Sequence, residues 1–375
     1  MAQAGVTIEH WQTPAGARVY FVASHELPIL DVQLDFAAGP LFEPRDKAGL
    51  AGLTHALLDL GAGDLDETAI SNHIADVGAN LGGGLDQDRA SIGLRTLSHP
   101  EKREAALNVL EKILGQPRFD AAIFERERTR SIAALKDALT RPDILSSRAF
   151  WAALYPDHPY GQLRTPESLT AIRHEDLRAF WQGHYNAANA TLTIVGDISR
   201  PEAEALALRL AAALPAGKPV LPPAPPTAPE GKIIRLSYPA SQAHIAVGMP
   251  AIARGDPDYF PLLVGNYTLG GGGFVSRLMQ EVREKRGYAY SVYSYFMPMK
   301  QSGPFEIGMQ TKKEQAKEAL EVTHRVLQEF LAQGPTPEEL KAAKDNLIGS
   351  FPLRLDSNSK ILDYVAMIGF YGLPL

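Results

Sequence analysis

The 375-residue chain contains no cysteine. That absence removes disulfide frameworks, thiolate zinc sites and cysteine nucleophiles together. No apolar run approaches the ~18 residues that a membrane span needs. No block of like charge stands out, and the net charge is only −6. The sequence therefore offers no polybasic surface for nucleic acid or an anionic membrane. There is no Gly-x-Ser-x-Gly elbow for an activated serine, and neither His-x-x-x-His nor His-x-x-Glu-His occurs among its 10 histidines. The first residues, Met1-Ala2-Gln3-Ala4-Gly5, lack the basic start and apolar core of a signal peptide. Ala2-Gln3-Ala4 does match the small-x-small pattern that precedes signal-peptidase cleavage.

Apolar residues make up 45% of the chain and charged residues 21%, the balance of a folded globular protein. Seven prolines fall within residues 215–229, a stretch that can join neither a helix nor a central strand. This linker divides the chain into a first domain, 1–214, and a second, 231–375, joined by 215–230. The two halves repeat one pattern. Each opens with strand-like alternation: residues 18–22 and 29–36 in the first, Lys232-Ile233-Ile234-Arg235-Leu236 and residues 243–249 in the second. Each then has a helix, a glycine-rich passage, further strands and a helix–turn–helix, the turns being Gly115-Gln116-Pro117 and Gln333-Gly334-Pro335. Residues 144–154 predict a helix that matches 359–369. The first half adds a helix over 175–185 and an apolar strand over 190–196. These last two have no counterpart in the second half, so that domain is expected to be cut short or closed by another chain. Grouped helices and antiparallel-looking strands predict an α+β architecture: two homologous domains forming half of a clam-like chamber.

Individual motifs are less specific. The glycine run 270–273 precedes Phe274 and Val275, not the Lys-Ser/Thr of a phosphate loop, and reads as a close-packed loop before a helix. His55 lies in a segment whose Leu50, Leu53, Leu57 and Leu60 are spaced for one buried helical face. It reads as a helix residue with a local hydrogen bond. The most distinctive stretch is 276–294. It predicts a helix ending at Gly287 and a tyrosine-rich strand, which would bring Arg283 and Tyr290 onto one surface.

That stretch, with the repeat of the two halves, resembles the insulinase/pitrilysin metallopeptidases, particularly bacterial members related to mitochondrial processing peptidase. Residues 278–294 are similar to the family's Leu-x-Glu-Leu-Arg-Glu-Lys-Arg-Gly-Leu-Ala-Tyr-Ser-Val segment, with Tyr288 where Leu is usual. The resemblance implies that Arg283 and Tyr290 reach substrate, one holding its backbone or a carboxylate, the other donating toward a developing oxyanion. Active members carry His-x-x-Glu-His on a first-domain helix and a glutamate on a later one. Aligned from residues 47–51, the motif falls on Gly52, Leu53, Thr54, His55 and Ala56, and the later Glu-Glu pair on Ala133 and Ala134. No metal ligand survives, so the resemblance implies no cofactor in this chain. It implies the non-catalytic subunit of a heterodimeric zinc peptidase. The partner would be a catalytic paralogue with His-x-x-Glu-His that holds the zinc, and the substrate a peptide or unfolded protein laid along a sheet edge of that partner. The rival readings are a purely structural core-type paralogue and a chamber that binds peptides without cleaving them. A periplasmic location is expected, with the cytoplasm as alternative.

Overall fold

The computed structural model describes residues 6–375. In chain order the first part comprises β1 (Glu9–Gln12), β2 (Arg18–Ala23), β3 (Ile29–Phe36), α1 (Leu50–Ala56), β4 (Gly61–Ala62), β5 (Leu65–Asp66), α2 (Glu67–Asp76), β6 (Asn80–Leu85) and β7 (Ala90–Leu97). Helices α3 (Pro100–Gly115), α4 (Ala121–Ala138), α5 (Pro142–Leu154), α6 (Pro166–Ala171) and α7 (His174–His184) follow. Then come β8 (Ala190–Gly196), α8 (Arg200–Ala213), β9 (Gln242–Ile252) and α9 (Tyr259–Asn266). The chain continues through β10 (Ala289–Phe296), β11 (Gly303–Lys312), α10 (Ala316–Gln333), α11 (Pro337–Ser350) and α12 (Asn358–Tyr371). The architecture is α+β, as the grouping of elements predicts.

Two compact units form, and neither is continuous in sequence. The first takes the described residues up to Ala134, then Arg164–Pro223 and Arg354–Leu375; the second takes Leu135–Leu163 and Ala224–Leu353. The expected domains, 1–214 and 231–375, therefore differ from the packed units. The reason is a reciprocal exchange. Helix α12, from the second half of the chain, packs on β8, β3 and β2 of the first unit. Helix α5, its sequence counterpart in the first half, packs on β9 of the second. The chain does pass from one unit to the other within the proline-rich linker, at 223–224.

The first unit is built on a six-stranded sheet, ordered β1-β2-β8-β3-β7-β6. Its pairs are antiparallel except β2 with β8. All seven residues of β8 are buried, which is why its sequence reads as a continuous apolar and threonine run rather than an alternation. Helix α12 lies so close that a Cβ on Gly369 would sit 2.7 Å from the Tyr20 ring and 2.9 Å from Thr191 Cγ2. Five of its residues, Leu362, Val365, Ala366, Gly369 and Phe370, are buried against the sheet. The Tyr371 hydroxyl donates to Asp88 Oδ2 at 2.8 Å and secures the helix end.

The second unit has three strands, ordered β10-β11-β9, all antiparallel. One face packs Val292, Ile307 and Met309 with Val322 and Val326 of α10 into a core. Residues 232–236, expected as a strand, pair with no strand among the described residues and are exposed. Their alternation suits a strand, but among the described residues no neighbouring strand accepts their backbone groups.

Candidate functional site

The corner where the resemblance places a metal site is built on α1. Gly49 precedes the helix at φ +105°, in the left-handed region that glycine enters without strain. The Glu43 carboxylate accepts from the Gly49 and Ala51 amides at 2.9 and 2.6 Å, satisfying two free N–H groups of the helix start. Burial pushes this carboxyl up to about 7, against the pull of those two amides. Leu50, Leu53 and Leu57 are buried, as their spacing predicts, while Leu60 is only partly covered.

Gly52 and Ala56 stand one helical turn apart and offer no donor atoms. A Cβ on Gly52 would meet only Leu85 Cδ2, at 3.7 Å, so the missing side chain is not forbidden by space. His55 Nε2 lies 2.9 Å from the Ser91 carbonyl oxygen. Since a carbonyl only accepts, Nε2 carries the proton and that nitrogen has no lone pair for a metal. His55 therefore bonds across to β7, 36 residues along the chain, and not locally as expected. Ala133 and Ala134 are exposed on α4. A cleft of about 260 Å³ opens beside this corner, lined by His55, Ala56, Asp59 and Leu81 with Gly82 and Gly83 of the edge strand β6. Burial raises the Asp59 carboxyl, and it is the only acid lining the cleft. One engaged imidazole and one carboxyl do not make a zinc site, which needs three or four ligands. Among the described residues no group of three His, Cys, Asp or Glu could hold a metal ion. The residues present do not fit zinc.

The second candidate surface belongs to the other unit. Residues Met279–Glu284 wind as a wide π-helical segment with Met279 and Val282 buried beneath it. Arg277 anchors its start by a bidentate pair with Glu339 of α11, at 2.8 and 2.6 Å. Gly287, at φ +64°, ends the winding, as the sequence predicts, and leads into β10. Ala289 pairs with Thr311 and Ser291 with Gln310, so Tyr290 is the extra residue of a β-bulge. A bulge re-aims the side chain it carries. Tyr290 is 85% exposed, and the Arg283 guanidinium carbon lies 5.0 Å from its ring centroid. The structure therefore brings Arg283 and Tyr290 together.

Sequence reasoning missed Phe274. Its ring centroid lies 4.6 Å from the Arg283 guanidinium carbon on the glycine-run side. Arg283 is thus flanked by two exposed aromatic rings. The glycine run is not a simple loop: Tyr267–Gly271 continue α9 as a π-helical turn and Gly273–Val275 form a 3-10 turn. The Gln280 amide donates to the Phe274 carbonyl at 2.6 Å and fixes that turn. No spacing rule connects Phe274 to Arg283, so this contact had no sequence signal.

Comparison with known proteins places this geometry in context. Residues 171–347 match a family model described as the peptidase M16 inactive domain. A crystal structure of a peptidase M16 inactive domain from Pseudomonas fluorescens aligns with a TM-score of 0.94 at 38% identity, covering 98% of this chain and 89% of that one. The non-peptidase homolog YmxG of Helicobacter pylori is 27% identical over 95% of this chain and 83% of its own length. An uncharacterized zinc protease, YmxG of Bacillus subtilis, is 29% identical, and the match spans 70% of this chain and 64% of that relative.

Proposed function

The chain belongs to the peptidase M16 family as one of its non-catalytic members, and from that premise we propose that it is the zinc-less subunit of a two-subunit peptidase. One observation carries this reading: the Arg283 guanidinium lies over the ring of an exposed tyrosine, while positions 52, 56, 133 and 134 offer no donor at all. A metal-bearing paralogue with His-x-x-Glu-His would supply the hydrolytic chemistry. This chain's own residues would bind and orient the peptide. The Tyr290 hydroxyl, on its bulge, would donate a hydrogen bond to a substrate carbonyl oxygen as charge builds there. Arg283, held in place by Phe274 and Tyr290, would hold a neighbouring carbonyl or carboxylate through its remaining N–H groups.

The test is reconstitution with such a paralogue and a peptide-cleavage assay. Tyr290→Phe removes one donor and keeps the ring. It is expected to lower turnover by about 10²–10³, as loss of other oxyanion donors does. At so exposed a position it should leave the melting temperature in place. Unchanged turnover per folded complex would overturn the reading in favour of a structural paralogue. The isolated chain should bind far less than one zinc per molecule, and metal analysis showing a tightly held stoichiometric zinc would refute it independently.

A further inference from the structure

The slot that holds Arg283 has two aromatic walls, and they come from different stretches of the second unit. Phe274 stands on the turn Gly273–Val275, whereas Tyr290 stands on the bulge of β10. Their ring centroids lie 4.6 and 5.0 Å from the Arg283 guanidinium carbon. The width of the slot therefore depends on how the glycine run is held against β10. Glycines 270–273 have little backbone preference of their own, so their path must be fixed by what they pack on.

Two buried polar side chains lie beneath them. Asn266 is the last residue of α9 and Ser294 lies on β10. Asn266 Nδ2 donates to the Ser294 carbonyl at 2.9 Å, and the Ser294 hydroxyl donates to Asn266 Oδ1 at 2.6 Å. The reverse amide orientation would set Oδ1 against that carbonyl, acceptor facing acceptor, so the pair fixes its own geometry. The glycines press directly on it. A Cβ on Gly270 would sit 2.4 Å from Ser294 Oγ, and one on Gly271 would sit 2.7 Å from Asn266 Nδ2. The Gly272 amide then donates to the Tyr267 carbonyl at 2.8 Å, and the chain enters the turn that carries Phe274. On its other side the pair is joined to Tyr290 by β10 itself. A buried amide and a buried hydroxyl are tolerated only while each is bonded, so this junction permits little displacement.

We propose that Asn266 and Ser294 are the positioning pair of the Arg283–Tyr290 surface. They clamp the turn bearing Phe274 to the strand bearing Tyr290, and so set the gap in which the guanidinium is held. An arginine held between two rings has less rotamer freedom left to lose when a carbonyl or carboxylate binds to its fork. Neither residue of the pair touches substrate. Both act from beneath the surface, through Phe274 and Arg283. The placement of Arg283 is a property of this chain alone, whereas its consequence for peptide binding rests on the role proposed for Arg283 above.

The test uses two variants of the full chain, Ser294→Ala and Asn266→Asp, each checked for folding by circular dichroism. The first removes the hydroxyl. The second keeps the acceptor for Ser294 but turns another oxygen toward its carbonyl. The Arg283 Nε–H resonance, assigned by its loss in Arg283→Lys, reports the slot directly, because aromatic rings displace the signal of a proton held over their faces. In the parent it should lie upfield of the exposed arginines, and in both variants it should move back toward them. Tyr290→Phe, which keeps the ring, should leave it in place. In the complex reconstituted with a catalytic paralogue, Ser294→Ala should raise KM about tenfold and keep kcat within about threefold, the pattern of lost ground-state binding. An Arg283 resonance unmoved in the folded variants would overturn the proposal. So would a fall in kcat at unchanged KM with the resonance in place, which is what loss of folded protein alone gives. A displaced resonance with unchanged KM would support the positioning pair and remove Arg283 from peptide binding instead.

Discussion

Helix α12 on the first sheet and helix α5 on the second are the same element of an internal repeat, yet one is sealed and the other half open. The contrast teaches that burial here is a property of the sheet beneath, not of the helix sequence. Phe150, Trp151 and Ile144 of α5 are as apolar as Val365 and Phe370 of α12. What separates the two helices is that α12 rests on three adjacent strands, whereas β9 ends its sheet.

The largest effect expected from breaking this comparison is on the sealed side. Phe370→Ala removes a ring that is 5% exposed and lies beneath the Arg89 guanidinium, and should cost about 3–5 kcal/mol. Phe150→Ala on α5 should cost about 1–2 kcal/mol, since its ring is already partly in water. Denaturant melts of both variants test the ordering, and equal costs would mean that α5 is as well covered as α12.

A smaller effect is on pH dependence: raised acids lie in the first unit, whereas lowered ones lie in both, Asp176 and Asp197 among those of the first. In the first, burial holds Glu43 up at about 7 and Asp35 at about 6. In the second, Lys285 and Arg286 lower Glu281, and Arg277 lowers Glu339. Between the ordinary carboxylate range and 6–7 the folded first unit keeps protons that the unfolded chain has released. Its stability therefore falls as pH rises through that window. The lowered acids act oppositely, and their stabilisation disappears as pH drops below the ordinary range. Thermal melts should thus show a higher transition near pH 5.5 than at pH 7.5, by roughly 1–2 °C for each kcal/mol in a chain of 375 residues. Glu43→Gln should flatten much of that rise. A transition that climbs with pH would contradict the assignment.

Much of this was legible in the sequence. Helices α5, α7 and α12 and strand β8 lie within two residues of where periodicity and capping place them. That Gly52, Ala56, Ala133 and Ala134 bear no donor side chain is a matter of residue type and needs no structure to see. The meeting of Arg283 and Tyr290 is readable because a helix end, a glycine and a strand constrain each other locally. The failures share a cause. Residues 232–236 have the alternation of a strand but no partner, and pairing is not encoded in the segment itself. The exchange of α5 and α12 is a choice between two similar sheets, which periodicity cannot decide. The bulge at Tyr290 depends on register against β11, and the Phe274 contact on how a glycine run winds.

The exchange of helices also orders events in time. During synthesis every strand of the first sheet emerges before β9, yet the helix that covers β8 leaves the ribosome only after the whole second sheet. At about 5–20 residues per second, the first sheet must wait many seconds with an apolar face uncovered. Until α12 arrives to cover β8, that face is open to aggregation or to capture by a chaperone.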